Sequence, residues 1–284
     1  MRVAFQGERG AYSEEAAAAL LGDVEVAPYA SLAEVFEAVT RGAADRAVVP
    51  VENSQAGSIN ETYDLLISHS LFITAELDLR IRHCLLAVAG QTLADITTVS
   101  SHPQALAQCD EFIRRHGLAA VPAYDTAGSA KMVAERKVRR TAAIAGRRAA
   151  EIYGLEVLAE GIETNLYNYT KFLLLSTTPA PRQPDSKTSI VFTTENIPGA
   201  LYKALGALAT RSLNLTKLES RPRREVPWEY VFYVDFEGHQ DDPEAAAALS
   251  DLARVCVFHR VLGSYPKSPN HSLRSGSGQA SGLP

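Results

Sequence analysis

The sequence lacks the marks of several large protein classes. Its three cysteines, Cys84, Cys109 and Cys256, are widely spaced, odd in number and without a Cys-x-x-Cys pair. That argues against a disulfide framework and for a reducing compartment. The seven histidines show no metal-ligand spacing, so no metal is expected. No apolar run approaches the ~18 residues that span a bilayer. The chain enters Val3-Ala4-Phe5 without a charged leader, which points to a cytoplasmic protein. A net charge of -5 gives no reason to expect nucleic acid or an anionic membrane as partner. What is present is a 284-residue chain, 46% hydrophobic and 21% charged, with room for one large or two ordinary domains.

Strand-like runs alternate with helix-like runs over the first two thirds of the chain. Val3-Ala4-Phe5 leads into a turn with Gly7 and Gly10, and Ser13 is the expected N-cap of an Ala-rich helix ending at Gly22. A strand, a glycine turn and a helix start together suit an anion, because free backbone N–H groups point outward there. An ordinary turn explains them equally, and neither Gly-x-Gly-x-x-Gly nor a P-loop is present. Ser31-Leu32-Ala33-Glu34 has capping-box spacing, as does Ser101-His102-Pro103-Gln104, which opens a helix expected to reach His116. Asp125 and Thr126 are candidate caps of another helix. Cys84 to Val88 is continuously apolar and predicts a central strand. Glu52 to Asn60 is rich in amides and hydroxyls, fit either for a small polar ligand or for water. This alternation predicts an α/β domain with a largely parallel sheet and with its polar segments just after strands, where ligands gather.

Three prolines between Thr178 and Asp185 mark a linker. Beyond it the order βαββαβ predicts a ferredoxin-like domain. The expected organisation is residues 1–178, a linker at 179–186, a second domain at 187–266 and a disordered tail at 267–284.

The stretch Asn168-Tyr169-Thr170-Lys171-Phe172, ahead of the apolar run Leu173-Leu174-Leu175, resembles the Asn-x-Thr-Arg-Phe signature of prephenate dehydratases, with Lys171 in place of Arg. Gly7-x-x-Gly10-x-x-Ser13, Val49-Pro50-Val51-Glu52-Asn53-Ser54, the segment Ser101 to Cys109 and Tyr153-Gly154-Leu155 are similar to that family too. Pro198-Gly199-Ala200-Leu201 and Leu215 to Pro222 resemble the phenylalanine-binding segments of its ACT domain. The resemblance covers nearly the whole chain. It implies a two-lobed, periplasmic-binding-protein-like catalytic domain, crossed near Asp78 to Arg82 and Glu163 to Asn168, and a C-terminal ACT domain.

The implied reaction is prephenate to phenylpyruvate, with loss of carbon dioxide and water. Aromatisation drives it, so no cofactor is expected. The resemblance gives Thr170 as the catalytic group, stabilising the departing oxygen. It gives Ser13, Asn53, Ser54, Ser101, Gln108, Thr126, Lys171 and Phe172 as substrate-binding candidates. Capping alone would explain Ser13, Ser101 and Thr126. Strand alternation turns Lys171 away from Thr170, which leaves an ion pair as its other role. Gly199, Ala200, Leu201, Glu219, Ser220, Arg221 and Pro222 are the candidate phenylalanine site. The implied partners are prephenate, L-phenylalanine as effector and a second copy of the chain in a homodimer or homotetramer. Arogenate as substrate, and a non-catalytic amino-acid sensor, stay open.

Overall fold

Apolar runs separated by glycine turns and polar helix starts form three sheets in the computed structural model, which describes residues 1–223 and 229–268. The chain divides into two units, Met1–Leu65 with Leu77–Leu173, and Leu66–Glu76 with the chain from Leu174.

The chain opens with β1 (Arg2–Gln6), α1 (Tyr12–Leu21), β2 (Glu25–Tyr29), α2 (Leu32–Thr40), β3 (Arg46–Asn53), β4 (Gly57–Ser58), α3 (Asn60–Ser68) and β5 (Phe72–Arg80). It continues through β6 (Cys84–Ala87), β7 (Thr98–Ser101), α4 (Pro103–Gln108), α5 (Asp110–Arg115), β8 (Ala119–Pro122), α6 (Thr126–Glu135), β9 (Thr141–Ala145), α7 (Arg147–Tyr153) and β10 (Glu156–Glu160). It then returns as β11 (Tyr169–Ser176). The first sheet has the order β2-β1-β3-β11-β5, with β4 on β3. The second, β10-β6-β9-β7-β8, forms the other lobe of the first unit.

The continuous apolar run of β6 does lie inside its sheet, between β10 and β9. Leu85 and Ala87 pack into one core with Val99, Ile113 and Ile144. Cys84 and Leu86 pack on the opposite face with Ala130, Ala143 and Ala149. Strand alternation thus feeds two cores at once, which is why no polar residue interrupts the run. The sheet is not largely parallel, however. β6 runs antiparallel to both β9 and β10, while β7 is parallel to β8 and β9.

Two expected caps move. The capping box at Ser31 forms as its spacing predicts. But α1 is capped at Ala11, which places Ser13 inside the first turn. The cap of α4 is His102, whose Nδ1 accepts from the Gln104 amide at 3.2 Å, and Ser101 ends β7 instead. The helix expected to reach His116 breaks at Cys109 into α4 and α5.

In the second unit β12 (Ser186–Thr193), α8 (Ala200–Ala209), β13 (Leu215–Pro222), β14 (Tyr230–Glu237), α9 (Pro243–Val255) and β15 (Phe258–Pro266) follow the expected βαββαβ order. They form an antiparallel sheet, β13-β14-β12-β15, with α8 and α9 packed on one core. Lys187, 3% exposed, lies 2.8 Å from both Glu76 Oε2 and Asp235 Oδ2. Burial alone would lower its pKa, but Tyr265, Asp235 and Glu76 outweigh that and raise it. Of the expected tail, Lys267 and Ser268 are described, and the Lys267 ammonium donates to Glu237 at 2.7 Å. The rest of that tail lies outside the described residues. Among the described residues no helix is long and apolar enough to cross a membrane.

Candidate active site

A cavity of about 570 Å³ opens between the two lobes of the first unit. Its floor is built where β3 and β11 meet. The Ser54 amide donates to the Tyr169 carbonyl at 2.8 Å and brings Asn53 alongside Thr170. Asn53 is 5% exposed, and its Nδ2 donates to Asn168 Oδ1 at 2.9 Å, to Thr170 Oγ1 at 2.9 Å and to the Tyr169 carbonyl at 3.2 Å. Asn53 Oδ1 accepts the amides of Gln55 and Ala56, both at 3.0 Å. The polar turn after β3 is therefore a folded scaffold for one side chain, and only secondarily a solvated loop.

The other lobe contributes Gln108 from the last position of α4. Its Oε1 accepts from Asn168 Nδ2 at 3.0 Å. The two crossing segments run side by side here, with the Ile81 amide donating to the Asn168 carbonyl at 2.8 Å and the Gly161 amide to the His83 carbonyl at 2.9 Å. The consequence for Thr170 is chemical. With Asn53 donating to its oxygen, its own O–H is left to donate, and Thr170 lines the cavity.

No lysine or arginine lines the cavity among the described residues. Helix starts stand around it instead. First-turn residues of α1, α4 and α6, namely Ser13, Gln104 and Thr126, all line it. Helix N-termini carry free N–H groups and the positive end of the helix dipole, so together they suit an anionic ligand. One carboxyl is also present. Asp125 caps α6 by accepting from the Gly128 amide, and burial raises its pKa.

The β1–α1 turn brings the lobes together. Glu14, fully buried, accepts from Arg9 Nε at 3.0 Å, the Gly10 amide at 2.7 Å and Arg148 Nη2 at 2.9 Å. Gly10 has φ +86°, and a Cβ there would fall 2.7 Å from the Ala149 Cα, so only glycine lets the lobes approach.

Thr170, Asn53, Gln108, Phe172, Ser13 and Thr126 therefore line one cavity. Three expected residues are set elsewhere. Ser101 is fully buried, and its hydroxyl donates to the Ile144 carbonyl at 2.6 Å. Ser54 braces β11, donating to the Tyr167 carbonyl and accepting from the Tyr169 amide, both at 3.0 Å. Lys171 points to the opposite side of β11 from Thr170, and its ammonium lies 3.3 Å from Asp78. Sequence reasoning missed His83 and Tyr12, which also line the cavity. His83 is 2% exposed, and burial lowers its pKa. No spacing marks it, because its partners come from distant segments.

In the second unit Gly199 caps α8 at φ +82°, with open space where a Cβ would stand. Ala200 and Leu201 begin the helix, and Glu219, Ser220, Arg221 and Pro222 end the edge strand β13.

Comparison with known proteins decides the family. The model described as prephenate dehydratase matches residues 3–180, and that described as ACT domain matches residues 188–254. The chain belongs to the prephenate dehydratase family. The enzyme named arogenate dehydratase/prephenate dehydratase 2, chloroplastic, of Arabidopsis thaliana is 47% identical over 277 residues, which cover 94% of this chain and 73% of that one. A structure of prephenate dehydratase from Arthrobacter aurescens in complex with L-Phe superimposes with a TM-score of 0.86 at 35% identity, covering 94% of this chain and 90% of that one. A structure described as GqqA, a novel type of quorum quenching acylase, gives 0.88 at 39% identity, covering 95% and 99%.

Proposed function

We propose that the protein converts prephenate to phenylpyruvate, carbon dioxide and water, and that phenylalanine inhibits it through the C-terminal domain. The observation that carries this reading is the Thr170 hydroxyl, held as a donor by Asn53 at the wall of a cavity ringed by helix starts. As the ring carboxylate leaves as carbon dioxide, its bonding electrons pass through the ring and expel the C4 hydroxyl as hydroxide, which takes a proton from solvent to become water. Charge grows on that departing oxygen. A preorganised donor aimed at it is worth roughly 3–4 kcal/mol, because it strengthens as the charge develops. The start of α1, which has no side-chain cap, is the place for a substrate carboxylate, the starts of α4 and α6 being capped by His102 and Asp125. Residues 1–178 form the catalytic part, 179–186 the linker and 187–266 the regulatory part.

The same polarity weighs against acyl hydrolysis by Thr170. A nucleophilic hydroxyl needs a base to take its proton, whereas Thr170 is paired with an amide donor. The nearby histidine ring of His83 is hydrogen-bonded to Tyr12 and Gln108.

A second reading, arogenate as substrate, is favoured by Asp125. A carboxyl lining the cavity suits an ammonium group better than a keto oxygen. Parallel assays decide: phenylpyruvate formed from prephenate supports the first reading, and phenylalanine formed faster from arogenate supports the second. No turnover of either substrate by folded protein would sink both.

For the effector, Gly199 at the start of α8 leaves backbone N–H groups open to a carboxylate, and Glu219 to Pro222 would complete the site. The exposed edge of β13 would be covered by pairing two chains, which makes a homodimer or homotetramer the proposed assembly. The three free cysteines support a reducing, cytoplasmic setting. Calorimetry with phenylalanine tests the regulatory claim, and absence of binding would refute it.

A further inference from the structure

We propose, resting on the reading of this cavity as the dehydratase site, that the start of α1 and Asp125 clamp the substrate's three-carbon side chain at two points. The α1 start holds the side-chain carboxylate, and Asp125 reads the group on the next carbon, so that Asp125 sets the choice between an amino acid and a keto acid.

The carboxylate end is built from one helix start. The amides of Glu14 and Glu15 turn back to the Ala11 carbonyl, at 3.0 and 3.2 Å, which leaves those of Tyr12 and Ser13 as the free donors of the first turn. No side chain caps them. Ser13 is 8% exposed and its hydroxyl has no hydrogen-bond partner among the described residues, yet it lines the cavity beside Tyr12. A buried hydroxyl next to two free amides lacks an acceptor, and a carboxylate supplies one. The negative charge of Glu14 on the same turn is already answered by Arg9 and Arg148.

Chemistry decides which carboxylate belongs there. The ring carboxylate becomes neutral carbon dioxide, so donors gripping it would favour the ground state over the transition state and slow the reaction. The side-chain carboxylate keeps its charge throughout, and a grip on it leaves the chemical step untouched. The ring carboxylate then meets the remaining walls, which bear no lysine or arginine among the described residues.

Asp125 stands where the neighbouring carbon can be read. A Cβ built on Gly7 would lie 3.4 Å from the Ala11 Cβ and 3.6 Å from Asp125 Oδ2. The N-cap of α1 and the Asp125 carboxyl thus flank one glycine, with no side chain between them. An α-ammonium is one carbon from its carboxylate, so here it sits between two anionic groups and pairs with both. A keto oxygen in its place leaves those two charges facing each other unpaired, which is discrimination by repulsion as well as by attraction.

Each half of the clamp has its own signature, because prephenate and arogenate share the carboxylate and differ at the group beside it. Ser13→Ala should raise KM for both by the same factor, ~3- to 10-fold, with kcat within ~2-fold, as for a contact equal in ground and transition states. Asp125→Asn keeps a side-chain oxygen to cap α6 and loses the charge. The ratio of kcat/KM for arogenate to that for prephenate should then fall ~10-fold or more. Asp125→Ser, which also caps a helix, serves if Asp125→Asn does not fold. A fall short of ~3-fold would overturn the role of Asp125, as would a wild type that turns over prephenate and leaves arogenate untouched. Where wild type takes arogenate alone, the same fall is read on its kcat/KM for arogenate. An unchanged KM in Ser13→Ala, or a kcat that rises with KM because the departing carboxylate has been released, would overturn the α1 half. Turnover of neither substrate by folded wild type would instead refute the reading of the cavity itself.

Discussion

The cleft cluster of Asn53, Asn168, Gln108 and Thr170 in the first unit and the Lys187 cluster of the second are both buried and polar, yet they are built on opposite plans. Around Lys187 three charged groups saturate one another. The ammonium meets Glu76 and Asp235, Asp235 Oδ1 accepts from Ser189 at 2.5 Å, Ser189 is 2.7 Å from Tyr265 Oη, and Glu76 Oε1 accepts from the Ser268 amide at 3.2 Å. In the cleft every member is neutral, and the last one, Thr170, has a donor left over. A saturated ionic cluster fixes a structure. A neutral hydrogen-bonded cluster at a cavity wall presents a group for chemistry, and it does so without adding a charge of its own.

Breaking the ionic cluster should give the largest effect. Lys187→Ala leaves Glu76 and Asp235 buried without their cation, and removal of one partner from a buried ion group typically costs about 3–5 kcal/mol. Urea denaturation followed by circular dichroism should show that loss. A change below about 1 kcal/mol would mean that water reaches the cluster.

Breaking the neutral cluster should hardly touch stability and should strike turnover. Thr170→Val keeps the shape and removes the donor, so kcat should fall at least ~10²-fold with substrate affinity changed far less. Near-normal turnover by folded Thr170→Val would end its role as the donor.

Glu14 is an intermediate case, a buried carboxylate that joins the lobes on either side of the cleft. Glu14→Gln should lower stability by about 2 kcal/mol, as for hydrogen bonds to a charged group. Its pH dependence has a definite sign. Burial opposes ionisation, but Arg9, the Gly10 amide and Arg148 outweigh it and hold the pKa below the ordinary value. The native state therefore releases its proton more readily than the unfolded chain. The stabilisation is complete above the unfolded-state pKa, near 4.5, and is lost as pH falls through the lower folded-state value. Thermal melts between pH 3 and pH 7 should converge for wild type and Glu14→Gln at the acid end.

The two networks also differ in how far the sequence discloses them. Asn53, Gln108 and Thr170 were legible through the family resemblance; they sit at the end of β3, the end of α4 and the start of β11, where local rules place polar side chains at a sheet rim. Those same rules misplaced Ser13 and Ser101, since a hydroxyl near a helix start satisfies capping spacing at more than one offset. Ala11 packs into a core with Phe5 and Ala127, while Ser101 turns to the Ile144 carbonyl and leaves His102 to cap α4 through the Gln104 amide. His83 left no local signal, because its ring partners Tyr12 and Gln108 are 71 and 25 residues away. The partnership of Glu76 with Lys187, 111 residues apart, is invisible for the same reason. Periodicity reports a face to be buried, but not the distant group that will meet it there.

The smallest expected effect concerns Lys171, and it sharpens the comparison because this residue adjoins the neutral cluster while belonging to neither network. Strand alternation puts Thr170 and Phe172 on the cavity side of β11 and Lys171 on the other. There it pairs with Asp78 at 3.3 Å, with side chains 12% and 17% exposed. A partly hydrated ion pair of this kind contributes about 1 kcal/mol. Lys171→Ala should therefore lower stability by about that amount and leave kcat and KM within ~2-fold of wild type, because the cation does not face the substrate. Lys171→Arg should keep the pair with Asp78 and match wild type in both respects. The alternative, a cation gripping a substrate carboxylate, predicts a different pattern: KM rising by ~10-fold or more in Lys171→Ala, with stability nearly unchanged. Measuring Michaelis constants and melting temperatures on the same three preparations separates the two, since the ion pair acts on the fold and the substrate contact acts on KM.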